Sequence, residues 1–411
     1  MAEQVSSLKT GIKYKDTPIG KIPVDWELVR LGDICSISSG GASNYSKDVN
    51  EKTYPVYGSN GILGSYDEFN FSDGLVIGRV GASGSIHMIS SPVWASDNTL
   101  LLSITDRFAQ KLFIYYYLQK CNLPGLATKT AQPLLTQQIL KSVLIAKPNI
   151  YEQKKIADIL TTVDEAIEKT DQVIEKTKEV KKGLMQKLLT RGIGHKEFKK
   201  TEIGEIPDEW EVMKLEEVCD EIYRYPTYYN IQYVEQDCGV PEVRGELIKD
   251  NGELPSDLSE YRYISKETSF KFQRTILHEG DFVLSVRGTM GKIGYIQSYL
   301  ENANMTANLM RISPNREEVH PLWMKQFFMS DFFQRRLDAA SSATTIKTIK
   351  APELKEIELA LPPLNEQKQI AWILSSIDEE IEKESNHKEH LELLKKGLMQ
   401  VLLTGKIRVS V

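Results

Sequence analysis

Two stretches of the chain repeat apolar residues every three or four positions, with dense Glu and Lys between them. The first runs from Glu152 to Thr190 without a proline, and the second begins near Glu366. This spacing is typical of a long helix with a narrow apolar seam, as in a coiled coil. The seam positions are Ile156, Leu160, Val163, Ile167, Thr170, Ile174, Thr177, Leu184 and Leu188, then Ile370, Leu374, Ile377, Ile381, Leu391, Leu398 and Leu402. We therefore predict two long helices, each roughly 55 Å in length at 1.5 Å per residue.

Outside these helices, short apolar runs lead into glycine-rich turns. Residues 74–78 and 281–286 are predicted to be buried strands, and residues 112–118 and 322–333 to be short helices. The predicted fold class is α+β, with two tandem globular α/β domains separated by two long antiparallel coiled-coil-like helices. The predicted boundaries are 1–150 for the first domain, 151–191 for the first helix, 192–362 for the second domain and 363–411 for the second helix with its tail.

The chain also repeats itself. Ile19 to Trp26 recurs as Ile203 to Trp210, and the Glu152-Gln153 pair recurs as Glu366-Gln367. The chain therefore consists of two tandem units. If the two matching helices pair with each other, the units are related by a pseudo-two-fold axis. Between these echoes the units differ, apart from a glycine-rich loop in each, at 78–84 and 285–292. A constant framework with a varied interior suits two modules that perform one task on different targets.

Composition narrows the class of protein only broadly. With 411 residues, 26% of them charged and 41% hydrophobic, the chain is globular and multidomain. The net charge of −6 gives no global basic field, so a nucleic-acid partner would have to rest on local patches. No run approaches the roughly 18 apolar residues of a membrane span, and the N-terminus has no signal-peptide pattern. Four cysteines without a CxxC pair suit a reducing compartment, so we expect a cytoplasmic protein.

Catalytic signatures are weak. Neither glycine-rich loop has the spacing of a P-loop or a dinucleotide fingerprint. Asp208, Glu211 and Lys214 resemble a nuclease motif, but the Glu-to-Lys spacing is one residue too long and the segment belongs to the repeated framework. His387 and His390 lie one helical turn apart without a third metal ligand nearby in the sequence. We expect no catalytic site and no metal site in this chain.

Basic, amide and hydroxyl side chains concentrate in the two varied interiors. Arg and Lys can bind guanine O6 and N7, Asn and Gln can bind adenine N6 and N7, and Thr can contact a methyl group or a phosphate. Any one of these residues alone could be an ordinary polar residue at the protein surface, so the prediction of a DNA-reading surface rests on the whole set. That set is Ser59, Asn60, Arg79, Ser83, Ser85, Asn98, Lys129, Thr130 and Gln132, with Tyr225, Arg262, Tyr263, Arg287, Thr289, Lys292, Asn304, Thr306 and Lys347.

Taken together, the motifs resemble the specificity (S) subunit of type I restriction–modification systems over essentially the whole chain. The resemblance is carried by the doubled Ile-Gly-x-Ile-Pro-x-x-Trp openings, the Pro-x-x-x-Glu-Gln-x-x-Ile helix starts and the Lys-Gly-Leu-Met-Gln-x-Leu-Leu-Thr endings. The glycine-rich loops add to it, with one departure. Arg79 stands one place earlier, relative to its glycine, than Arg287 does, so the two arginines are not assumed to share a role.

The resemblance implies a DNA-binding subunit without catalysis of its own. Each domain would be a target-recognition domain that reads half of a bipartite site in double-stranded DNA. The helices would set the spacer between half-sites and dock two modification (M) subunits that methylate adenine, and restriction (R) subunits would join them. The chain itself would hold no cofactor, since S-adenosylmethionine, ATP and Mg would belong to those partners. The alternatives are a coiled-coil scaffold or adaptor that does not bind DNA and, ranked lower, a nuclease or NTPase.

Overall fold

The structure is a computed structural model that describes residues 13–42, 45–46, 53–128, 133–224, 231–287, 290–341 and 348–410. The chain divides into two compact units. Unit 1 comprises residues up to 172 together with residues from 385 onward, and unit 2 comprises residues 173–384. Each of the two boundaries lies inside one of the long helices, so each unit contains part of both helices.

Unit 1 places four sheets and a set of short helices before the first long helix. Its strands are β1 (Tyr14–Thr17), β2 (Gly20–Pro23), β3 (Glu27–Arg30), β4 (Cys35–Ser39), β5 (Tyr54–Gly58), β6 (Gly61–Tyr66), β7 (Gly74–Gly78), β8 (Ile86–Ile89), β9 (Trp94–Ala95), β10 (Thr99–Ile104) and β11 (Leu144–Lys147). Its helices are α1 (Leu31–Ile34), α2 (Lys111–Lys120), α3 (Leu123–Leu126) and α4 (Gln137–Lys141), followed by α5 (Ile150–Arg191), which continues into unit 2. The main sheet has the order β4-β10-β7-β8, and a second sheet has the order β6-β5-β9 with β5 and β9 parallel.

Unit 2 repeats this plan. Its strands are β12 (Phe198–Thr201), β13 (Gly204–Pro207), β14 (Glu211–Lys214), β15 (Cys219–Arg224), β16 (Tyr233–Val234), β17 (Gly239–Val243), β18 (Arg262–Ser265), β19 (Phe282–Ser285), β20 (Ile293–Tyr295), β21 (Asn304–Met305), β22 (Leu309–Pro314) and β23 (Glu358–Leu361). Its helices are α6 (Lys266–Lys271), α7 (Pro321–Met329), α8 (Asp331–Ala340), α9 (Ala351–Lys355) and α10 (Leu364–Leu402), the last of which ends in unit 1. The main sheet has the order β15-β22-β19-β20, and a second sheet contains the parallel pair β17 and β21. The internal repeat predicted from the sequence is therefore confirmed, and it extends into interiors that share little sequence.

The prediction of two long antiparallel helices is also confirmed. The α5 helix has 42 residues and the α10 helix has 39, or about 63 and 58 Å at 1.5 Å per residue. In unit 1, ion pairs of 2.7 Å join Asp164 to Lys395 and Asp171 to Lys388, so one residue number falls as the other rises. Lys388 lies where the second apolar seam is interrupted, and its ion pair bridges the helices at that point. In unit 2, Lys181 pairs with Asp378 at 2.5 Å in the same antiparallel sense.

One predicted helix is divided in two. The 322–333 helix breaks at Ser330, where α7 ends and α8 begins. The Ser330 hydroxyl accepts a hydrogen bond from the Phe333 amide at 3.2 Å, which caps the new helix. The apolar spacing continued through this point because Phe327, Phe328 and Phe333 all face one core. No described helix combines the length and apolarity needed to cross a membrane.

The repeated Trp and Glu residues meet where each long helix begins. In unit 1 the Trp26 indole donates to Glu152 at 3.2 Å, and Glu152 is only 1% exposed. Arg408, which follows α10, donates to both oxygens of this carboxylate at 2.6 and 2.7 Å and to both Asp25 oxygens at 2.9 and 2.8 Å. The segment after α10 is thereby fastened to the start of α5.

Unit 2 makes the same closure with different chemistry. The Trp210 indole donates to Glu366 at 2.9 Å, and the Ile193 amide donates to the same carboxylate at 2.8 Å. The His195 ring nitrogen lies 2.9 Å from Glu366, where unit 1 has a guanidinium. The repeated Trp and Glu residues of the sequence therefore form equivalent hydrogen-bonded contacts, one in each unit.

The Asp25 contact predicts a pH dependence of stability. Hydrogen bonds from Arg408 hold the pKa of Asp25 below its ordinary value of 3.8. Because the pKa of Asp25 is lower in the folded state than in the unfolded state, its ionised carboxylate stabilises the fold at pH values above the ordinary pKa. This contribution is lost as the pH falls through the lowered pKa of the folded state. We expect Asp25→Asn to lower the urea midpoint of unit 1 at pH 6, and the difference from wild type to close below pH 3.8. Exposed Asp67, replaced by Asn, is the control, and an equal gap at both pH values would contradict the assignment.

Candidate nucleic-acid interface

In unit 1 three segments bring six of the predicted DNA-reading residues together. The Ser59 hydroxyl, in the turn between β5 and β6, donates to the Asn98 carbonyl at 2.7 Å. The Arg79 amide donates to the same carbonyl at 2.9 Å, and the Ser85 hydroxyl donates to the Ser59 carbonyl. The remaining members, Asn60 and Ser83, lie in the first turn and in the glycine-rich loop between β7 and β8. These contacts bring together residues distant in sequence, which we call the unit 1 surface; Asn60 and Asn98 are exposed in it and Ser59 is buried.

The glycine-rich loop of unit 1 is a tight turn fixed by its own backbone. The Gly78 amide donates to the Ser85 carbonyl at 2.9 Å, and the Gly84 amide donates to the Gly78 carbonyl at 2.8 Å. Gly81 and Gly84 have φ of +75° and +87°, which L side chains rarely adopt. A Cβ at Gly84 would also lie 2.9 Å from the Leu123 Cβ, whereas a Cβ at Gly81 would meet nothing within 4 Å.

These two glycines give a matched pair of substitutions. We expect Gly81→Ala to destabilise unit 1 by about 1 kcal/mol, because only the backbone conformation is strained. Gly84→Ala should cost about 2 kcal/mol, because the loop must also move away from Leu123. Thermal unfolding of the two variants measures the difference. Equal losses would mean that the contact with Leu123 does not fix the loop.

Several polar atoms beside this surface have no hydrogen-bond partner in the described ranges. They are Arg79 Nε, Ser83 Oγ, His87 Nε2 and Ser96 Oγ. Buried polar atoms are normally paired, because an unpaired one loses its hydration without compensation. In the described part of unit 1 these unpaired buried atoms therefore concentrate around the glycine-rich loop. His87, whose ring centroid lies 5.5 Å from that of Tyr57, was missed from the sequence. Its place directly after the loop on β8 was the available signal.

Unit 2 builds its loop on the same backbone contacts. The Ser285 amide donates to the Lys292 carbonyl at 2.8 Å, and the Gly291 amide donates to the Ser285 carbonyl at 2.9 Å. The Val286 amide donates to the Asn308 carbonyl at 3.0 Å, as the Arg79 amide does to Asn98 in unit 1. Val286 therefore corresponds to Arg79, and exposed Arg287 lies one position further along. Thr306 is nearby, since its carbonyl accepts from the Leu309 amide at 3.0 Å.

A sequence model described as "Type I restriction modification DNA specificity domain" matches residues 23–178 and 207–393. The chain belongs to this family. The two matches cover both units and show that the family domain occurs twice, in agreement with the repeated sheets and loops.

Individual relatives match along nearly the whole chain. The type I restriction enzyme MjaVIII specificity subunit of Methanocaldococcus jannaschii is 31% identical over 95% of this chain and 95% of that protein. The EcoBI specificity subunit of Escherichia coli is 24% identical over 90% of this chain and 76% of that protein. Among solved structures, the S subunit of a type I system from M. genitalium has a TM-score of 0.60 and 13% identity, covering 96% of this chain and 97% of that one. This last likeness concerns the fold alone.

Several residues that the sequence predicted to read DNA do not lie on the loop surfaces of this specificity-domain protein. Asn304 is completely buried, and its amide donates to the Ser269 hydroxyl at 3.1 Å, so it belongs to the core of the second sheet. Tyr263 is 8% exposed and donates to the Leu258 carbonyl at 2.9 Å. Lys292 pairs with Asp250 at 2.9 Å, and exposed Arg262 lines a separate cleft of about 430 Å³. Lys129, Thr130, Gln132, Tyr225, Thr289 and Lys347 lie outside the described residues.

One residue of the unit 2 surface was missed. Asn308 occupies the place of Asn98, and each asparagine stands two residues after a small hydroxyl residue, Ser96 or Thr306. The amides of these hydroxyl residues make matching contacts: Ser96 donates to the Tyr57 carbonyl at 2.9 Å, and Thr306 donates to the Val243 carbonyl at 3.0 Å. The shared hydroxyl-x-Asn spacing was a signal in the sequence, but its meaning depends on a parallel strand pairing that local patterns do not reveal.

Proposed function

We propose that this chain is the DNA sequence-specificity subunit of a type I restriction–modification complex, in which each unit reads one half of a bipartite duplex site. The observation that carries the proposal is the pair of equivalent loops with different side chains. Arg79 corresponds to Val286 and Ser85 to Lys292 on matching backbone hydrogen bonds. Val286 is buried in the core, so exposed Arg287 is the basic residue of the unit 2 loop at this point. One scaffold that presents two sets of side chains suits two recognition domains with different target sequences.

We propose further that the long helices act as the spacer and as the docking surface for two modification subunits that methylate adenine. Half-sites read from one face of DNA lie about 34 Å apart, one helical turn, and each helix is longer than this. Restriction subunits would complete the complex. The chain itself would carry no catalytic site and no cofactor, so that S-adenosylmethionine, ATP and Mg bind to the partners, and it would act in the cytoplasm.

A genome-wide map of adenine methylation, with and without the gene, tests the proposal. We expect one bipartite motif to lose its methylation on deletion and to regain it when the wild-type gene is restored. A second restored strain, with Ser59, Arg79 and Asn98 replaced by alanine, should change one half of that motif only. An unchanged map, in a strain whose modification subunit is expressed, would refute the proposal and favour an adaptor that does not bind DNA.

A further inference from the structure

A cleft of about 530 Å³ in unit 1 adjoins the glycine-rich loop. Gly84 and Ile86 line one side, Lys120 at the end of α2 lines another, and Lys395 and Lys396 of α10 line a third. We call it the Lys120 cleft. Lys395 is already neutralised, since its ammonium lies 2.7 Å from Asp164.

The other two lysines of the cleft have no carboxylate partner among the described residues, although the Lys120 ammonium lies 5.4 Å from the centroid of the Tyr117 ring. Lys120 and Lys396 are exposed, and no carboxylate of the described ranges lies within ion-pair distance of either ammonium. Although the residue as a whole is exposed, partial desolvation lowers the pKa of Lys120; neighbouring Cys121 raises this pKa and Lys406 lowers it. The one carboxylate that lines the cleft, Glu392, lies 3.9 Å from Lys388. With Lys395 paired to Asp164, two lysines and one carboxylate remain in the lining, so the cleft keeps an excess of positive charge.

Unit 2 supplies an internal comparison. Lys182 opens the same Lys-Gly-Leu-Met-Gln motif in α5 as Lys396 does in α10. Its ammonium is paired with Asp331, the first residue of α8, at 3.0 Å. The α8 helix has ten residues and packs on the unit 2 loop, where the Gln334 side-chain amide donates to the Gly291 carbonyl at 3.2 Å. In unit 1 the helix in that place, α3, has only four residues.

We infer that Lys120 and Lys396 bind a phosphate group of the DNA backbone beside the half-site read by unit 1. The inference rests on the proposed function. Ser85 of the unit 1 surface is next to Gly84, which lines the cleft, so the surface and the cleft adjoin. Two ammonium groups without a carboxylate partner bind a phosphate by charge, without reading sequence. Unit 2 lacks this contact because its corresponding lysine, Lys182, forms an ion pair with Asp331.

The test uses the complete chain assembled with its modification subunits and a duplex that carries the methylated motif. Binding is measured by fluorescence anisotropy over a salt series, for wild type and for the double variant Lys120→Gln, Lys396→Gln. Each neutralised phosphate contributes about 0.9 to the slope of log K against log salt. We expect the variant to lower this slope by about 0.9 and to weaken motif and scrambled duplexes equally. The matched control, Lys182→Gln, should leave the slope unchanged.

Other results would overturn the inference. An unchanged slope, or an equal change in the Lys182→Gln control, would remove the local contact. An altered methylation motif would make the lysines base readers, and loss of modification-subunit binding would make the cleft a protein-docking site. Binding of inorganic pyrophosphate that the variant abolishes, with the DNA slope unchanged, would point to a free phosphate compound. If the wild-type complex does not prefer the motif duplex to the scrambled one, the proposed function fails instead.

Discussion

Replacing Asp281 by asparagine is expected to destabilise unit 2 by about 3–5 kcal/mol, because a buried charge would lose its partner. Asp281 is 0% exposed and accepts hydrogen bonds from Arg311 Nε at 2.7 Å, the Ser313 hydroxyl at 2.7 Å and the His278 amide at 2.9 Å. The asparagine has nearly the same volume but no charge. Arg311 is itself 8% exposed, so its guanidinium could not recover hydration without opening the main sheet.

Urea unfolding followed by circular dichroism measures this loss, and hydrogen exchange assigns it to unit 2. The control is Asp250→Asn, since the Asp250 side chain is 96% exposed and pairs only with Lys292 among the described residues. The control should leave the midpoint where it is, because exposed ion pairs contribute little. Equal midpoints for the Asp281 variant and wild type would mean that Glu221, 3.5 Å from Arg311, compensates the charge alone.

The second large effect concerns recognition. On the proposed function, Arg79→Ala should weaken methylation of the bipartite site about 10- to 100-fold, corresponding to about 1–3 kcal/mol for one base contact. The Arg79 Nε is buried and has no hydrogen-bond partner among the described residues. The loss should concern one half of the motif only, whereas Arg287→Ala should affect the other half.

The control for this prediction is Arg107→Ala, which removes an exposed arginine of unit 1 whose guanidinium stacks on Phe108 outside the loops. Methylation kinetics on duplexes that are changed at single positions separate the outcomes. Uniform weakening across all positions would show that Arg79 contacts phosphate instead of a base. A change in both halves of the motif would contradict the assignment of one unit to each half-site.

The sequence predicted the long helices and the repeat well, because both are expressed in local patterns. Residues at Ile156 and Leu160, or at Ile370 and Leu374, recur at helical spacing and lie fully buried in the structure. The varied interiors were harder. The parallel pairing of β5 with β9, repeated as β17 with β21, joins segments far apart in sequence. Such pairing leaves no local signature, since it depends on long-range register.

The candidate site shows the same limit. Arg79, Ser59 and Asn98 could be selected by side-chain chemistry alone, and the structure brings them together. Asn304 has equally suitable chemistry, but it is completely buried, and its amide donates to the Ser269 hydroxyl. Residue type does not distinguish an amide that faces solvent from one that satisfies the core. Only the fold decides which of them a duplex can reach.

The division of each long helix between the units also sets an order of events while the chain is being synthesised. Unit 2 is continuous, so a ribosome has produced all of it once residue 384 has been added. Unit 1 is still incomplete at that moment, because residues 385–411 have not been made. More than half of the chain is synthesised between Glu152 and Arg408, so the buried Glu152 carboxylate lacks its guanidinium partner during that time. The unit that begins synthesis first is therefore the last to be completed.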